Sequence, residues 1–283
     1  NEMVIEAIRY GIDPLKVFRV ASANPVLHYG LDVGLLRVGD SADFLEIDSL
    51  TDVNVIRTWI GGEICAEKGK TLIERYRSGV VNHFQTKQKN VSDFKFPFKG
   101  GTIPVIEAID GQLVTGKLLT NPKVEDDNAV ADNERDILKI AVVNRYEDKK
   151  PAIAFVKNFG LKRGAIASSV AHDCHNIVAV GVTDEDLSRA VNLVIQNKGG
   201  ICAVSDGEEI ILPLPIAGIM SNEDCMTVSS LYTNIDRKAK SMGSRLHAPF
   251  MTLSFMALLV IPRLKLSDRG LFDGERFAFV NEC

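Results

Sequence analysis

The chain has 283 residues, 46% of them hydrophobic and 25% charged, and its 33 basic and 37 acidic side chains give a net charge of -4 with the histidines neutral. That composition excludes a disordered or fibrous chain, and the lack of a basic excess argues against a general nucleic-acid surface. At ~100–200 residues per domain the length suggests two domains, and a chain this long can bury a sizeable core without disulfide or metal staples.

Residues 1–29 read as helix. Met3, Val4, Ala7 and Ile8 share a face at helical spacing. Gly11 ends that helix, Asp13-Pro14 restarts one with Asp as N-cap and Pro at the first helical position, and Asn24-Pro25 breaks the pattern again. Such short helices need a partner body to bury both faces. From residue 30 to 75 glycines punctuate short apolar runs. Phe44–Ile47 and Val53–Ile60 read as strands, and Gly61-Gly62 reads as a hairpin turn within a small β-sandwich-like unit.

Residues 76–101 read as a linker. Its basic residues are Arg77, Lys87, Lys89, Lys95 and Lys99, with Asp93 as the acid, and Phe94, Phe96 and Phe98 alternate. A basic, aromatic nucleic-acid strip is one reading. The favoured one is an extended segment pinned by alternate Phe side chains.

Residues 102–283 read as one mixed α/β domain. The expected strands are Ile103–Ile109, Gln112–Leu119, Asp136–Val143, Ala152–Val156, Ile177–Val182, Ile201–Val204 and Glu209–Leu212. Tight turns are expected at Asp110-Gly111 and Asp206-Gly207, and a polar loop from Asn121 to Asn133. One helix follows Thr183, with Asp186 three residues on and a stripe of Leu187, Ala190, Val191, Val194 and Ile195. A second follows Ser221, with Asp224 three residues on. Met251–Ile261 reads as a buried helix or strand. It is the longest apolar candidate and falls short of the ~18–20 residues that cross a bilayer. Glu2 and Glu6 stand where a signal peptide would be positive. Cys65, Cys174, Cys202, Cys225 and Cys283 are odd in number and lack C-x-x-C spacing, which suits reduced thiols in a cytoplasmic protein.

Polar chemistry concentrates in Ser168-Ser169-Val170-Ala171-His172-Asp173-Cys174-His175-Asn176, between two apolar strand-like runs. Strand-end loops are where sites usually sit in α/β proteins. His172, Asp173 and His175 are the candidates for proton transfer or polar contact, because imidazoles exchange protons near neutral pH. Ser168, Ser169 and Asn176 are the supporting candidates. The bland alternative is that these side chains hold a turn by bonding the backbone. The spacing matches no H-E-x-x-H, nor the H-x-E with P-C-x-x-C of zinc nucleobase deaminases, and P-loop and G-x-S-x-G patterns are also missing. Two further stretches stand out. Leu212–Ser221 is either a rigid connection or an anion-accepting approach to a helix N-terminus. Ser244-Arg245-Leu246-His247-Ala248-Pro249 offers an Arg and a His, with surface placement an equal reading.

These stretches together resemble the microbial adenine deaminases of the metal-dependent amidohydrolase superfamily. Ala23-Asn24-Pro25 through Gly39-Asp40-Ser41-Ala42-Asp43-Phe44 resembles the closing pattern of that superfamily. Arg163–Asn176, Leu212–Ser221 and Ala248–Phe255 resemble the C-terminal domain of adenine deaminases. The resemblance implies hydrolytic deamination of adenine to hypoxanthine and ammonia in purine salvage, by a metal-activated water within a (β/α)₈ barrel. It implies Mn or Fe in that barrel. This sequence has no H-x-H, and too little chain precedes Asn24 for a barrel of ~200 residues or more. The expectation is therefore a C-terminal portion, with residues 1–29 as terminal barrel helices, the missing Met as a cut edge, and no metal ligand carried onto any position. The expected partners are adenine, the missing barrel domain and further copies in a homo-oligomer, with no nucleic acid and no membrane. Three roles remain open for the portion. It caps or completes the active site through the His172 loop, it is a structural or oligomerisation domain, or it holds an independent metal at His172, Asp173 and His175.

Overall fold

The computed structural model describes residues 1–76 and 79–280. The expectations for Arg77 and Cys283 lie outside the described residues. The chain divides into two compact units, Asn1–Arg77 and Ser78–Cys283, and it mixes helix and strand as its patterning requires.

The first unit opens with α1 (Glu2–Arg9), α2 (Pro14–Ala21) and α3 (Ala23–Tyr29). Gly11, at φ +86°, separates the first two. The Asp13 carboxylate accepts the Lys16 N–H at 3.1 Å, satisfying one of the free donors at the start of α2. Asn24-Pro25 does not break the helical pattern. Pro25 lies in the first turn of α3, where its missing N–H costs no hydrogen bond. A four-stranded antiparallel sheet follows, formed in order by β1 (Phe44–Ile47), β2 (Val55–Ile60), β3 (Glu63–Glu67) and β4 (Lys70–Thr71). The turn at Gly61-Gly62 has φ +59° and +85°, the left-handed pair that matches strand twist in a two-residue hairpin. On this sheet Arg57 bridges Glu46 and Glu67 at 3.0 and 2.8 Å, and Phe44 stacks on Trp59 with ring centres 5.4 Å apart.

The second unit is organised by one large sheet. Its strands are β5 (Ile103–Glu107), β6 (Gly116–Thr120), β9 (Ile137–Val143), β10 (Ala152–Lys157), β11 (Ala165–Ser168), β12 (Ile177–Gly181), β13 (Gly200–Ser205) and β14 (Glu208–Pro213), with β7 (Lys123–Glu125) and β8 (Asn128–Val130) forming a separate hairpin. Across the sheet the order is β14-β13-β11-β12-β9-β10-β5-β6, and only β10 and β5 run parallel. Period-two alternation sends β9 side chains to opposite faces. Ala141 and Val143 pack with Leu187, Ala190, Val191 and Val194 of α4 (Asp184–Gln196). Ile140 and Val142 pack with Ile235 of α5 (Cys225–Ser241), Phe250 and Leu253 of α6 (Pro249–Phe255), and Leu264 and Leu266 of β15 (Leu264–Ser267). That strand continues into a small sheet with β16 (Gly270–Asp273) and β17 (Ala278–Phe279). Both faces are covered, so the central strands are mostly apolar, and Lys139 of β9 is buried and paired with Asp184 at 2.7 Å.

Several expectations need correction. Asn121–Asn133 is not a loop alone. It contains the β7–β8 hairpin, turned by Asp126 and Asp127 at φ +46° and +58°, a conformation short acidic side chains tolerate. Asp110-Gly111 forms a tight turn, closed by the Gln112 N–H on the Ile109 carbonyl at 3.1 Å, but not a two-residue hairpin, because β6 begins only at Gly116. β11 and the β15–β17 sheet are strands the apolar pattern does not flag, since alanine, serine and lysine dilute it. The second helix is capped by Asp224 rather than Ser221. Its carboxylate accepts the Met226 and Thr227 N–H groups at 3.0 and 2.9 Å. The stretch from 79 to 101 is packed onto this unit. Phe94 is fully buried, Phe96 and Phe98 lie against Ile103 and Phe155, and Lys89 is buried and paired with Asp148 at 2.6 Å. That placement removes Lys89 from any basic strip open to nucleic acid.

Candidate functional site

β11 and β12 are antiparallel neighbours, so residues 169–176 are the connection between them at one end of the sheet. The connection is tight. His175 N–H returns to the Ala171 carbonyl at 2.6 Å, and His175 takes φ +50°, a left-handed conformation that costs a side-chain-bearing residue ~1–2 kcal/mol. On its other side the loop is held by α6. His172 N–H donates to the Ser254 carbonyl at 3.1 Å, and its ring lies 4.9 Å from that of Phe255. The two imidazoles come together, with ring centres 6.0 Å apart at 68°. Asp173 is exposed between them.

The three supporting candidates are committed to the backbone. Ser168 Oγ accepts the Val170 N–H at 3.0 Å. Ser169 is fully buried. Its Oγ accepts the Gly200 N–H at 2.8 Å and donates to the Gly218 carbonyl at 2.6 Å. Asn176 Oδ1 accepts the Arg145 N–H at 3.3 Å. These bonds spend the polar atoms of Ser168, Ser169 and Asn176 on backbone groups and hold the loop.

Burial is the main cause that lowers the His175 pKa from its ordinary value, with the Arg145 cation and His172 acting in the same direction and Asp173 opposing them. That direction favours the neutral imidazole. Its Nδ1 is buried and has no hydrogen-bond partner. Burial also raises the Cys174 thiol, which keeps it protonated and a weak nucleophile. Phe255 is shared with a shallow cleft of about 110 Å³ lined also by Gln112, Leu113, His247, Met251 and Thr252. His247 thus lines a cleft beside the loop, while Arg245 is exposed.

Leu212–Ser221 does not present a free helix N-terminus. The Asp224 carboxylate already occupies the donors at the start of α5. Instead the stretch makes a turn closed by Ile216 N–H on the Met220 carbonyl at 3.1 Å, with Ala217 at φ +52° and Gly218 at φ +70°. Arg145 reaches this turn. Sequence patterning does not single it out, beyond its place two residues past an apolar strand end. Among the described residues no three His, Cys, Asp or Glu side chains gather to hold a metal ion. The reading of an independent metal at His172, Asp173 and His175 gains no support from this arrangement.

With this geometry in place, the comparisons with known proteins bear on the same segments. Residues 112–278 match the adenine deaminase C-terminal domain family, and residues 2–65 match the amidohydrolase family. The chain belongs to the adenine deaminase C-terminal domain family. The adenine deaminase of Salinibacter ruber is 52% identical over 283 residues, covering 99% of this chain and 52% of that protein. That of a Sulfurovum species is 52% identical over 281 residues, covering 99% and 51%, and that of Methanosarcina mazei is 48% identical over 284 residues, covering 96% and 51%. The chain thus spans about half the length of the curated relatives it matches. The His172 loop, the Gly218 turn and α6 all fall inside the C-terminal family match, and the Asn24-Pro25 to Phe44 pattern falls inside the amidohydrolase match. Among the described residues no helix is long and apolar enough to cross a membrane.

Proposed function

We propose that this chain is the C-terminal part of an adenine deaminase, which hydrolyses adenine to hypoxanthine and ammonia in purine salvage. The observation that carries this reading is the family match over residues 112–278, joined to relatives about half identical along nearly the whole chain. The reaction needs water added at C6 of the purine, a proton delivered to the departing amine, and exclusion of bulk water. Amidohydrolase chemistry of this kind is metal-dependent. Mn or Fe belongs, on this proposal, to the half of the longer protein outside this chain, and no residue here is assigned to it.

This chain's contribution is the loop of residues 168–176. His172 and His175 stand 6.0 Å apart beside the Phe255 cleft. A neutral His175 has one ring nitrogen free to accept a proton and one to donate. The loop acts by accepting, holding or passing a proton at the edge of the purine site, in the same subunit or a neighbour of a homo-oligomer. The protein works in the cytoplasm. A second reading, a structural or oligomerisation domain, draws support from Ser168, Ser169 and Asn176, whose polar atoms are used on backbone groups.

Ammonia release from adenine tests the proposal. The longer protein should release ammonia with added Mn²⁺ or Fe²⁺, and the 283-residue chain alone should not. No release by the longer protein would refute the activity, and robust release by this chain alone would refute its role as a part.

A further inference from the structure

We propose that Arg145 is the positioning residue of the candidate site, clasping the loop of residues 172–176 to the turn at residues 214–220 and so fixing where His172 and His175 stand. The proposal rests on the reading of that loop as part of the deaminase site.

Arg145 follows β9 and is only 5% exposed. Its backbone N–H donates to Asn176 Oδ1 at 3.3 Å, gripping the end of the loop. Its Nη1 donates to the Ala217 carbonyl at 2.5 Å. Its Nη2 donates to the Tyr146 hydroxyl at 2.8 Å, and that hydroxyl donates in turn to the Cys174 carbonyl at 3.2 Å, in the middle of the loop. Its own carbonyl accepts the Gln85 and Thr86 N–H groups at 2.8 and 3.2 Å. The guanidinium centre lies 4.7 Å from the Tyr146 ring and 5.9 Å from that of Phe84. One residue thus ties together the two stretches that sequence patterning marks as unusual, together with the segment around residue 85.

Two observations argue that this is more than packing. First, the Arg145 Nε is buried without a hydrogen-bond partner, and its Nη atoms are spent on a neutral carbonyl and a neutral hydroxyl. A buried cation carries a desolvation cost that an apolar side chain of similar volume avoids, so a space-filling role would be better met by Met or Leu. Second, the turn is shaped around the guanidinium. A Cβ on Gly218 would stand 1.8 Å from Arg145 Nη1. The fork of a guanidinium can reach Ala217 and Tyr146 at once, and the single ammonium of a lysine cannot match its planar geometry. The Arg145 charge also acts with burial to lower the His175 pKa, against the opposing charge of Asp173.

The test uses Tyr146→Phe, which removes only the hydroxyl link, and Arg145→Lys, which keeps the charge. In the longer protein with adenine, both should lower kcat at least about fivefold with KM within about twofold, since a misplaced catalytic group costs rate rather than binding. Lys139→Met, at a buried lysine paired with Asp184 elsewhere, should lower the melting temperature and leave kcat per folded site unchanged. Unchanged kcat in a folded Tyr146→Phe and Arg145→Lys would overturn the clasp. A second arm is independent of activity. In this chain alone, the His175 C2–H resonance and its titration midpoint should move in both variants and stay fixed in Lys139→Met. If the unsubstituted longer protein releases no ammonia, the deaminase reading fails by itself, and the resonance arm decides the clasp. Unmoved His175 resonances would overturn it.

Discussion

Lys265 in β15 is fully buried, and its ammonium donates to the carbonyl oxygens of Leu113 and Phe255 at 2.7 and 2.9 Å. Burial lowers its pKa from 10.5 to about 8. The unfolded chain therefore holds this proton more tightly than the folded one. Stability is depressed while both states are protonated, and it recovers as the pH rises through the window from about 8 towards 10.5. At 1.36 kcal/mol per pKa unit the deficit near pH 7 is about 3 kcal/mol, and about 2 kcal/mol of it is regained by pH 9.5. The neutral amine still has two N–H bonds for the two carbonyls, so deprotonation breaks no contact. Lys265→Met removes the titration but strands both carbonyls, a pH-independent offset of ~1–3 kcal/mol each. Urea unfolding of both proteins from about pH 7 to about pH 9.5 isolates the effect, because other titrating groups cancel in the difference. The difference in unfolding free energy should rise with pH in favour of the unsubstituted protein. A flat difference would refute the reasoning.

Burial also lowers the His175 pKa, so its C2–H proton should titrate below 6.5 in a nuclear magnetic resonance experiment. The unfolded chain again binds the proton more tightly, so His175 takes stability away as the pH falls below 6.5. A midpoint at or above 6.5 would contradict its burial beside Arg145. Two glycines separate backbone strain from collision. Gly207 has φ +82° with open space around it, so Gly207→Ala should cost about 1 kcal/mol in urea unfolding. Gly218 has φ +70° and Arg145 Nη1 where a Cβ would go, so Gly218→Ala should cost about 3 kcal/mol or more. Equal losses would mean that the turn does not close on Arg145.

The parts of the fold that repeat a local pattern were legible in the sequence. α4 follows from Thr183, whose hydroxyl caps the Asp186 N–H at 3.1 Å, and from its apolar stripe. The Gly61-Gly62 and Asp206-Gly207 turns follow from residues that accept positive φ. β11 was not legible, because Ala165–Ser168 is short and built of small residues whose strand character comes from pairing with β12 and β13. The Phe94 segment shows the same limit, since alternation marks a buried face without naming what covers it. In the site, the two histidines were legible as a concentration of polar chemistry. Arg145 was not, because the contacts that tie it to the loop and to the turn lie 31 and 72 positions away. The roles of Ser169 and Asn176 likewise depend on contacts 31 to 49 residues distant.

On the proposed function, the loop carrying His172 and His175 acts in deamination. Ammonia release per folded site, measured in the longer protein for His172→Ala and His175→Ala beside the unsubstituted enzyme, tests it most directly. Turnover should fall at least about tenfold, with melting temperatures and oligomeric state close to those of the unsubstituted protein. Normal turnover with altered assembly or melting would contradict it and leave this half of the protein as scaffold.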